Sequence, residues 1–239
     1  TINTELMIAD MESLERRKTK IEKLAKSGDK EARSQMEVIK KLIQSIDKNI
    51  PARAITDFTD EEKKFAKSLT LLSAKPVLYI CNVMDPGDTK SDLVQKVKDI
   101  AKQDGSAVVA LAGKIEGEIM EMEDPEEQKM FMEEMGLTET GLGRMIAVGY
   151  SLLELSTFFT AGEKETRAWT IPKNSKAPQA AGAIHSDFEK GFIRAEVYSL
   201  EDLEKHKTEA GIKEAGKLRV EGKDYVVQDG DIMHFRFNV

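Results

Sequence analysis

Two short stretches carry the residue types best suited to chemistry. The first, Asn82-Val83-Met84-Asp85, directly follows the apolar run Pro76-Val-Leu-Tyr-Ile-Cys-Asn82. An Asn amide donates and accepts, so it can tie neighbouring loops together and reach purine N7. A carboxylate three residues on can accept two hydrogen bonds from a guanine edge. Asn-x-x-Asp recurs in many loops, but here a second stretch, Ala112-Gly113-Lys114, follows the next apolar run, Ser106–Ala112. Small residues in that position let backbone groups approach a flat ligand. Asn82, Asp85, Ala112, Gly113 and Lys114 are therefore the candidate base-binding residues.

A phosphate cradle does not accompany them. The pattern Gly-x-x-x-x-Gly-Lys-Ser/Thr has its nearest echo at Gly113-Lys114. Ile115 stands there where a hydroxyl is needed, and Val108 where the first glycine belongs. No Asp-x-x-Gly follows a suitable strand upstream. Without backbone N–H groups around a β-phosphate and a hydroxyl for Mg²⁺, phosphoryl transfer by the usual route is not expected of this chain. Other candidates read as structural. The carboxylates of 116–134 (Glu116, Glu118, Glu121, Glu123, Asp124, Glu126, Glu127, Glu133, Glu134) are spread around their helix and predict a solvated face. Three histidines, His185, His206 and His234, lie far apart with no cysteine at metal-ligand spacing, so neither a zinc site nor any other metal site is predicted. His185 reads as a structural histidine, and Trp169, inside an alternating strand, as core.

The elements that position the two stretches follow from periodicity. Met7, Met11, Leu14, Ile21 and Ala25 recur at heptad spacing, interrupted by Lys18, and Ser27-Gly28-Asp29 supplies a turn. Met36, Ile39, Ile43, Ile46 and Ile50 repeat the spacing up to Pro51. Two antiparallel helices pairing along these seams are predicted. The basic cluster Arg16-Arg17-Lys18 with Lys20 and Lys23 reads as a solvated face of that hairpin. Thr59 and Glu62 predict a capping box. Pro76–Asn82 and Ser106–Ala112 read as strands buried on both faces. They are joined by a helix from Ser91 to Lys102 that turns Leu93, Val94, Val97, Ile100 and Ala101 inward and closes at Gly105. This strand–helix–strand crossover is the unit of a nucleotide-binding parallel sheet. Further helices are predicted from Ile115 to Met135, interrupted at Pro125, and from Gly141 to Leu155 through Leu142, Met145, Ile146, Tyr150 and Leu153.

After Leu155 the texture changes. Strands are predicted at 167–171, 193–197, 225–227 and 232–237, with turns at Ala161-Gly162-Glu163 and 228–231, and helices at 181–190, 200–205 and 209–216. The fold class is thus α/β, a parallel sheet remnant, followed by a separate α+β module, with the boundary near Ser156. The chain has 239 residues, one cysteine (Cys81) and a net charge of −7. That composition excludes an internal disulfide framework and argues against a generic cationic nucleic-acid binder, without excluding a ribosomal partner. No apolar run is long enough to span a membrane, so no membrane partner is expected, and nothing at the start resembles a secretory leader. The opening at Thr1, already helical in pattern, reads like a piece of something longer.

The strings Phe158–Gly162, Glu165–Ile171, Lys176–Glu196, Glu214–Lys217 and Val227–Val239 closely resemble the C-terminal TGS domain of the YchF / Obg-like ATPase family. The opening Thr-Ile-Asn-Thr-Glu-Leu resembles the start of that family's helical insertion, so the likeness covers the whole chain. The resemblance implies a coiled-coil hairpin at 1–55, the C-terminal part of an Obg-like G domain at 56–155, and a β-grasp TGS domain at 156–239. It also implies ribosome association and ATP binding and hydrolysis with GTP as a further substrate, while the single Cys81 fits a reducing, cytoplasmic location. Asn82 and Val83 resemble the start of the family's altered base-recognition loop, usually Asn-x-x-Glu; Asp85 departs from it toward the guanine-reading pattern. Ala112, Gly113 and Lys114 resemble the following base-contact loop. The family's P-loop and switch regions, and with them Mg²⁺ binding, would lie upstream of Thr1. Hydrolysis is therefore expected of the parent protein and not of this chain alone. An N-terminal G-domain segment, or a neighbour, is expected to cover the residual sheet.

Two functions compete. One is a nucleotide-hydrolysing switch represented by its base-recognition half. The other is a non-catalytic module binding the ribosome, with the large subunit or ribosomal RNA as partner. For the second, Arg167, Lys173, Lys176, Lys190 and Arg194 are candidate phosphate contacts.

Overall fold

The computed structural model describes residues 2–162 and 165–238, the side chain of Asp104 aside. Glu163 of the expected turn lies outside them. The chain divides into two compact units, Thr1–Val148 and Gly149–Val239.

The first unit begins with a helical hairpin, α1 (Ile2–Lys26) and α2 (Lys30–Asp47), the second helix capped by the Asp29 side chain accepting from Ala32 N. Met7, Leu14 and Ile21 pack with Met36, Ile39 and Ile46 in one buried cluster. Ile50 is not part of that seam: α2 stops at Asp47, Asn49 takes a positive φ of 61°, and Ile50 is exposed. Val38 and Leu42 are buried as well, because α2 also packs against α3 (Asp60–Ser68) and so covers a second stripe. The capping box opens α3, Thr59 Oγ1 accepting from Glu62 N and Glu62 Oε2 accepting from Thr59 N at 2.8 Å. Asp10 of α1, 3% exposed, accepts 2.7 Å hydrogen bonds from both Leu72 N and Ser73 N. That carboxylate pins the hairpin to the segment entering the sheet.

Strands β1 (Leu78–Asn82) and β2 (Ala107–Leu111) pair in parallel, Leu78 opposite Ala107 through Asn82 opposite Leu111, and α4 (Asp92–Asp104) crosses between them. Gly105 closes α4 in the left-handed region at φ 70°, a conformation only glycine adopts without cost. Val94 and Ala101 are buried, but Leu93 and Ile100 point to solvent, 73% and 55% exposed, contrary to the inward stripe. Two strands offer too little apolar surface to receive the whole stripe. Ile80 of β1 is 49% exposed for the same reason. Helices α5 (Gly113–Met120), α6 (Pro125–Glu134) and α7 (Gly141–Leu152) follow, with the break at Pro125 as predicted. Helix α7 ends three residues earlier than the expected Leu155, and Leu142, Ile146 and Leu153 are exposed.

The second unit is a five-stranded mixed sheet in the order β4-β3-β7-β5-β6. Its strands are β3 (Leu155–Ala161), β4 (Thr166–Pro172), β5 (Phe192–Ser199), β6 (Arg219–Glu221) and β7 (Asp231–Phe237). Four short helices complete it: α8 (Ala177–Ile184), α9 (Ser186–Lys190), α10 (Leu200–His206) and α11 (Glu209–Glu214). Phe158, Val197, Met233 and Phe235 share a core with Ala177, Ala180 and Ala181 of α8, the Phe158 and Phe235 rings meeting edge to face at 5.7 Å. Tyr225–Val227 is not a strand: Val226 makes only an isolated bridge to Lys176. The alternating pattern there serves burial of Val227 without a ladder partner. Among the described residues no helix is long and apolar enough to cross a membrane.

Candidate functional site

Parallel pairing ends β1 and β2 at the same level, so the loops after them leave the sheet side by side. Val83 N donates to Leu111 O at 2.9 Å, extending the ladder one residue into the loop. Asn82 Oδ1 then accepts from Gly113 N at 3.1 Å, the tie between loops that its amide chemistry suggested. A Cβ on Gly113 would lie 3.1 Å from Asn82 Oδ1 and 3.2 Å from Leu111 Cδ1, so a larger residue would crowd this tie. With its oxygen committed, Asn82 presents Nδ2 as a donor, the complement of purine N7.

Asp85 sits in extended backbone and opens a 3-10 turn, Pro86–Lys90. One carboxylate oxygen accepts from Gly87 N at 2.8 Å, leaving acceptor capacity on the other. Met84 beside it is 81% exposed, an apolar surface at the mouth of the loops. Lys114 projects into solvent 4.0 Å from Glu118, and Ala112 is buried as the residue preceding α5. This arrangement can hydrogen-bond the edge of a flat heterocycle. It does not fit Mg²⁺: among the described residues no three His, Cys, Asp or Glu stand together, and Ile115 follows Lys114 where a hydroxyl would be required.

One residue at the site was misplaced by sequence reasoning. Glu116, grouped with the solvated acids, is only 8% exposed. Its carboxylate accepts from Ala112 N at 3.1 Å and from Gly141 N, and Arg144 Nη2 approaches it at 3.6 Å. Its reach back to Ala112, four residues earlier, was a local signal; its second partner lies 25 residues on.

The five candidate phosphate contacts of the second unit do not form one patch. Arg167 on β4 stacks over the Trp169 ring at 4.2 Å, while Trp169 Nε1 donates to Thr160 Oγ1. Arg194 faces the other side of the sheet, since its neighbour Ala195 is in the core, and stands directly across from Arg236. Lys176 Nζ donates to Asp224 at 2.7 Å, and that hydrogen bond holds the Asp224 carboxyl below its ordinary pKa. Lys173 and Lys190 are exposed. His185 Nδ1 accepts from Asp187 N at the start of α9, a capping role.

The family profile YchF-GTPase_C, described as a protein of unknown function, matches residues 155–238. A Bacillus subtilis protein named Ribosome-binding ATPase YchF is 51% identical over 244 residues, covering 100% of this chain and 66% of its own length. The protein of the same name from Escherichia coli O157:H7 is 49% identical, with 100% and 65% covered. The chain therefore spans slightly under two thirds of these curated relatives. The structure of the Schizosaccharomyces pombe YchF GTPase superposes with a TM-score of 0.83 at 33% identity, over 98% of this chain and 64% of that one.

Proposed function

Since the chain belongs to the YchF family, we propose that it is the base-recognition and effector part of a ribosome-associated, cytoplasmic protein that binds and hydrolyses ATP. The observation that carries this reading is the Asn82 Oδ1 to Gly113 N hydrogen bond, which unites two loops at the carboxyl end of a parallel sheet. In this reading Asn82, Val83 and Asp85, with Ala112, Gly113 and Lys114, surround the base. The phosphates and Mg²⁺ belong to a G-domain segment that relatives carry outside the matched region. That segment also gives the exposed Ile80, Leu93 and Ile100 something to pack on. Residues 1–55 are then a coiled-coil hairpin, 56–155 the C-terminal part of the G domain, and 156–239 a β-grasp TGS domain.

GTP is the alternative base. The names of the relatives divide between ATPase and GTPase, and Asp85 in place of Glu favours guanine. Titrating the product of the complete gene with ATP and GTP, beside Asp85→Glu, separates them. Nucleotide binding that survives neither Asn82→Ala nor Gly113→Val supports the base site. Failure to bind either nucleotide, or a gene lacking Gly-x-x-x-x-Gly-Lys-Ser/Thr upstream of Thr1, rejects it.

The second reading, a non-catalytic ribosome-binding module, draws on the exposed Arg167, Lys173, Lys190 and Arg194, with Lys176 already paired to Asp224. Its partner would be ribosomal RNA or the large subunit. Salt-sensitive co-sedimentation of the chain with ribosomes tests it. Binding that does not weaken with salt counts against phosphate contacts.

A further inference from the structure

Glu116 lies one helical turn beyond the loop that the proposed function places against the base, and it is held unlike any other acid of α5 and α6. Its two carboxylate oxygens divide their partners. Oε1 accepts from Ala112 N at 3.1 Å, and Oε2 accepts from Gly141 N at the first residue of α7. Arg144, one turn into α7, closes the arrangement from the other side. Nη2 donates to Ala110 O of β2 at 3.3 Å and lies 3.6 Å from Glu116 Oε1, while Nη1 donates to Glu139 O at 3.1 Å. A buried carboxylate is costly unless it is paired and hydrogen-bonded, and this one accepts a backbone N–H on each oxygen with Arg144 beside it.

The close fit is independently visible at Gly141. A Cβ added there would lie 2.5 Å from Leu111 Cβ and 2.7 and 2.8 Å from the two Glu116 oxygens. Real Cβ atoms do not approach so closely, so only glycine allows the start of α7 to reach both the carboxylate and the end of β2. Leu111 is the residue opposite Asn82, and Gly113 N is the donor to Asn82 Oδ1. The same few residues that fix α7 therefore fix the loop's Ala112 and, through the next peptide, its tie to Asn82.

From this geometry we infer that Glu116 is a positioning residue for nucleotide binding: with Arg144 and Gly141 it locks Ala112-Gly113-Lys114 in the place where the loop meets the base. This rests on the reading of those loops as a base site. Glu116 itself does not touch the base. Its removal frees the loop, so affinity for every nucleotide falls while the choice between bases, set by Asp85, stays.

The test uses the product of the complete gene. Glu116→Gln puts an amide N–H₂ against at least one backbone donor, and is expected to weaken binding of fluorescent ADP about tenfold with the ATP to GTP ratio unchanged. Gly141→Ala, which leaves the carboxylate in place but crowds it, should do the same. Glu116→Asp, one methylene shorter, should restore part of the affinity. A parallel measurement, the amide resonance of Gly113 in the free protein, should shift in Glu116→Gln and Gly141→Ala. Unchanged affinity in both folded variants with an unmoved Gly113 resonance overturns the proposal, as does an altered base ratio. Asn82→Ala keeps the two readings apart. If it leaves affinity intact, the base-site reading has failed. The shift of Gly113 without loss of affinity then refutes the role in binding while leaving the lock itself standing.

Discussion

In the second unit, order comes from side chains that avoid water: Phe158, Val197 and Met233 are fully buried between the sheet and α8. In the first unit the hairpin has a comparable core, but the loops that matter are fixed by side-chain oxygens, of two carboxylates and one amide. Asp10 holds Leu72 and Ser73, Glu116 holds Ala112 and Gly141, and Asn82 holds Gly113. The difference is one of direction. Apolar burial is non-directional and tolerates sliding, whereas a carboxylate accepting two backbone N–H groups sets a position to within a fraction of an ångström. A unit that presents a ligand-reading edge gains from the second kind of order.

Substitutions can break each side of this contrast. Phe158→Ala empties the largest fully buried side chain and is expected to cost about 4 kcal/mol. Denaturant unfolding followed by hydrogen exchange should place the loss in β3, β4 and β7. Asp10→Ala strands the buried Ser73 N–H and the partly buried Leu72 N–H and is expected to cost about 3 kcal/mol, read as faster exchange at Leu72 and Ser73. Equal exchange there in mutant and wild type would show that water replaces the carboxylate.

A third test falls on the place where, among the described residues, the second unit also uses a buried carboxylate. Asp231 accepts from Tyr225 Oη at 2.7 Å, Gln228 N at 2.9 Å and Arg219 Nη2 at 3.2 Å. Tyr225→Phe should cost about 1.5 kcal/mol. Burial, then the hydrogen bond to Asp231, pushes the Tyr225 hydroxyl up to about 12. The folded state thus keeps a proton that the unfolded chain releases near pH 10. Its stabilising contribution is complete below that pH and is lost as pH rises toward 12, by about 1 kcal/mol after solvent screening. Stability measured at pH 9 and pH 11.5 should fall in the wild type and fall less in Tyr225→Phe, where burial of Tyr198 still contributes. The smallest effect is expected at Lys176→Ala, which removes an exposed pair with Asp224 and should leave the melting temperature unmoved.

What the sequence makes legible here is what neighbours in the chain decide. Thr59 with Glu62, the glycine closing α4, and the two apolar runs ending at Asn82 and Leu111 all act within a turn or a strand. Leu93 and Ile100 mislead because amphipathicity tells which face seeks burial, not how much surface is present to receive it. Strand β3 is hidden by its position after an amphipathic helix, and its partner β7 begins some seventy residues later, as the Phe159–Ile232 pairing shows. At the candidate site, Asn82 and Gly113 follow from strand ends that parallel pairing brings level. Glu116 does not, since its burial depends on Gly141 and Arg144, and by composition it is one more acid in an acidic segment.

The strand order has a consequence for how the protein is made. β7 lies between β3 and β5, yet it is the last of the five strands to be synthesised. Until Asp231–Phe237 have been translated, the β3–β4 pair and β5 each offer an unpaired edge to whatever is nearby in a crowded cell. A nonsense codon a few residues short of Asp231 would remove the keystone of the sheet, not its rim. Such a product should go to the proteases with its first unit intact, a fate that pulse-chase labelling would follow directly.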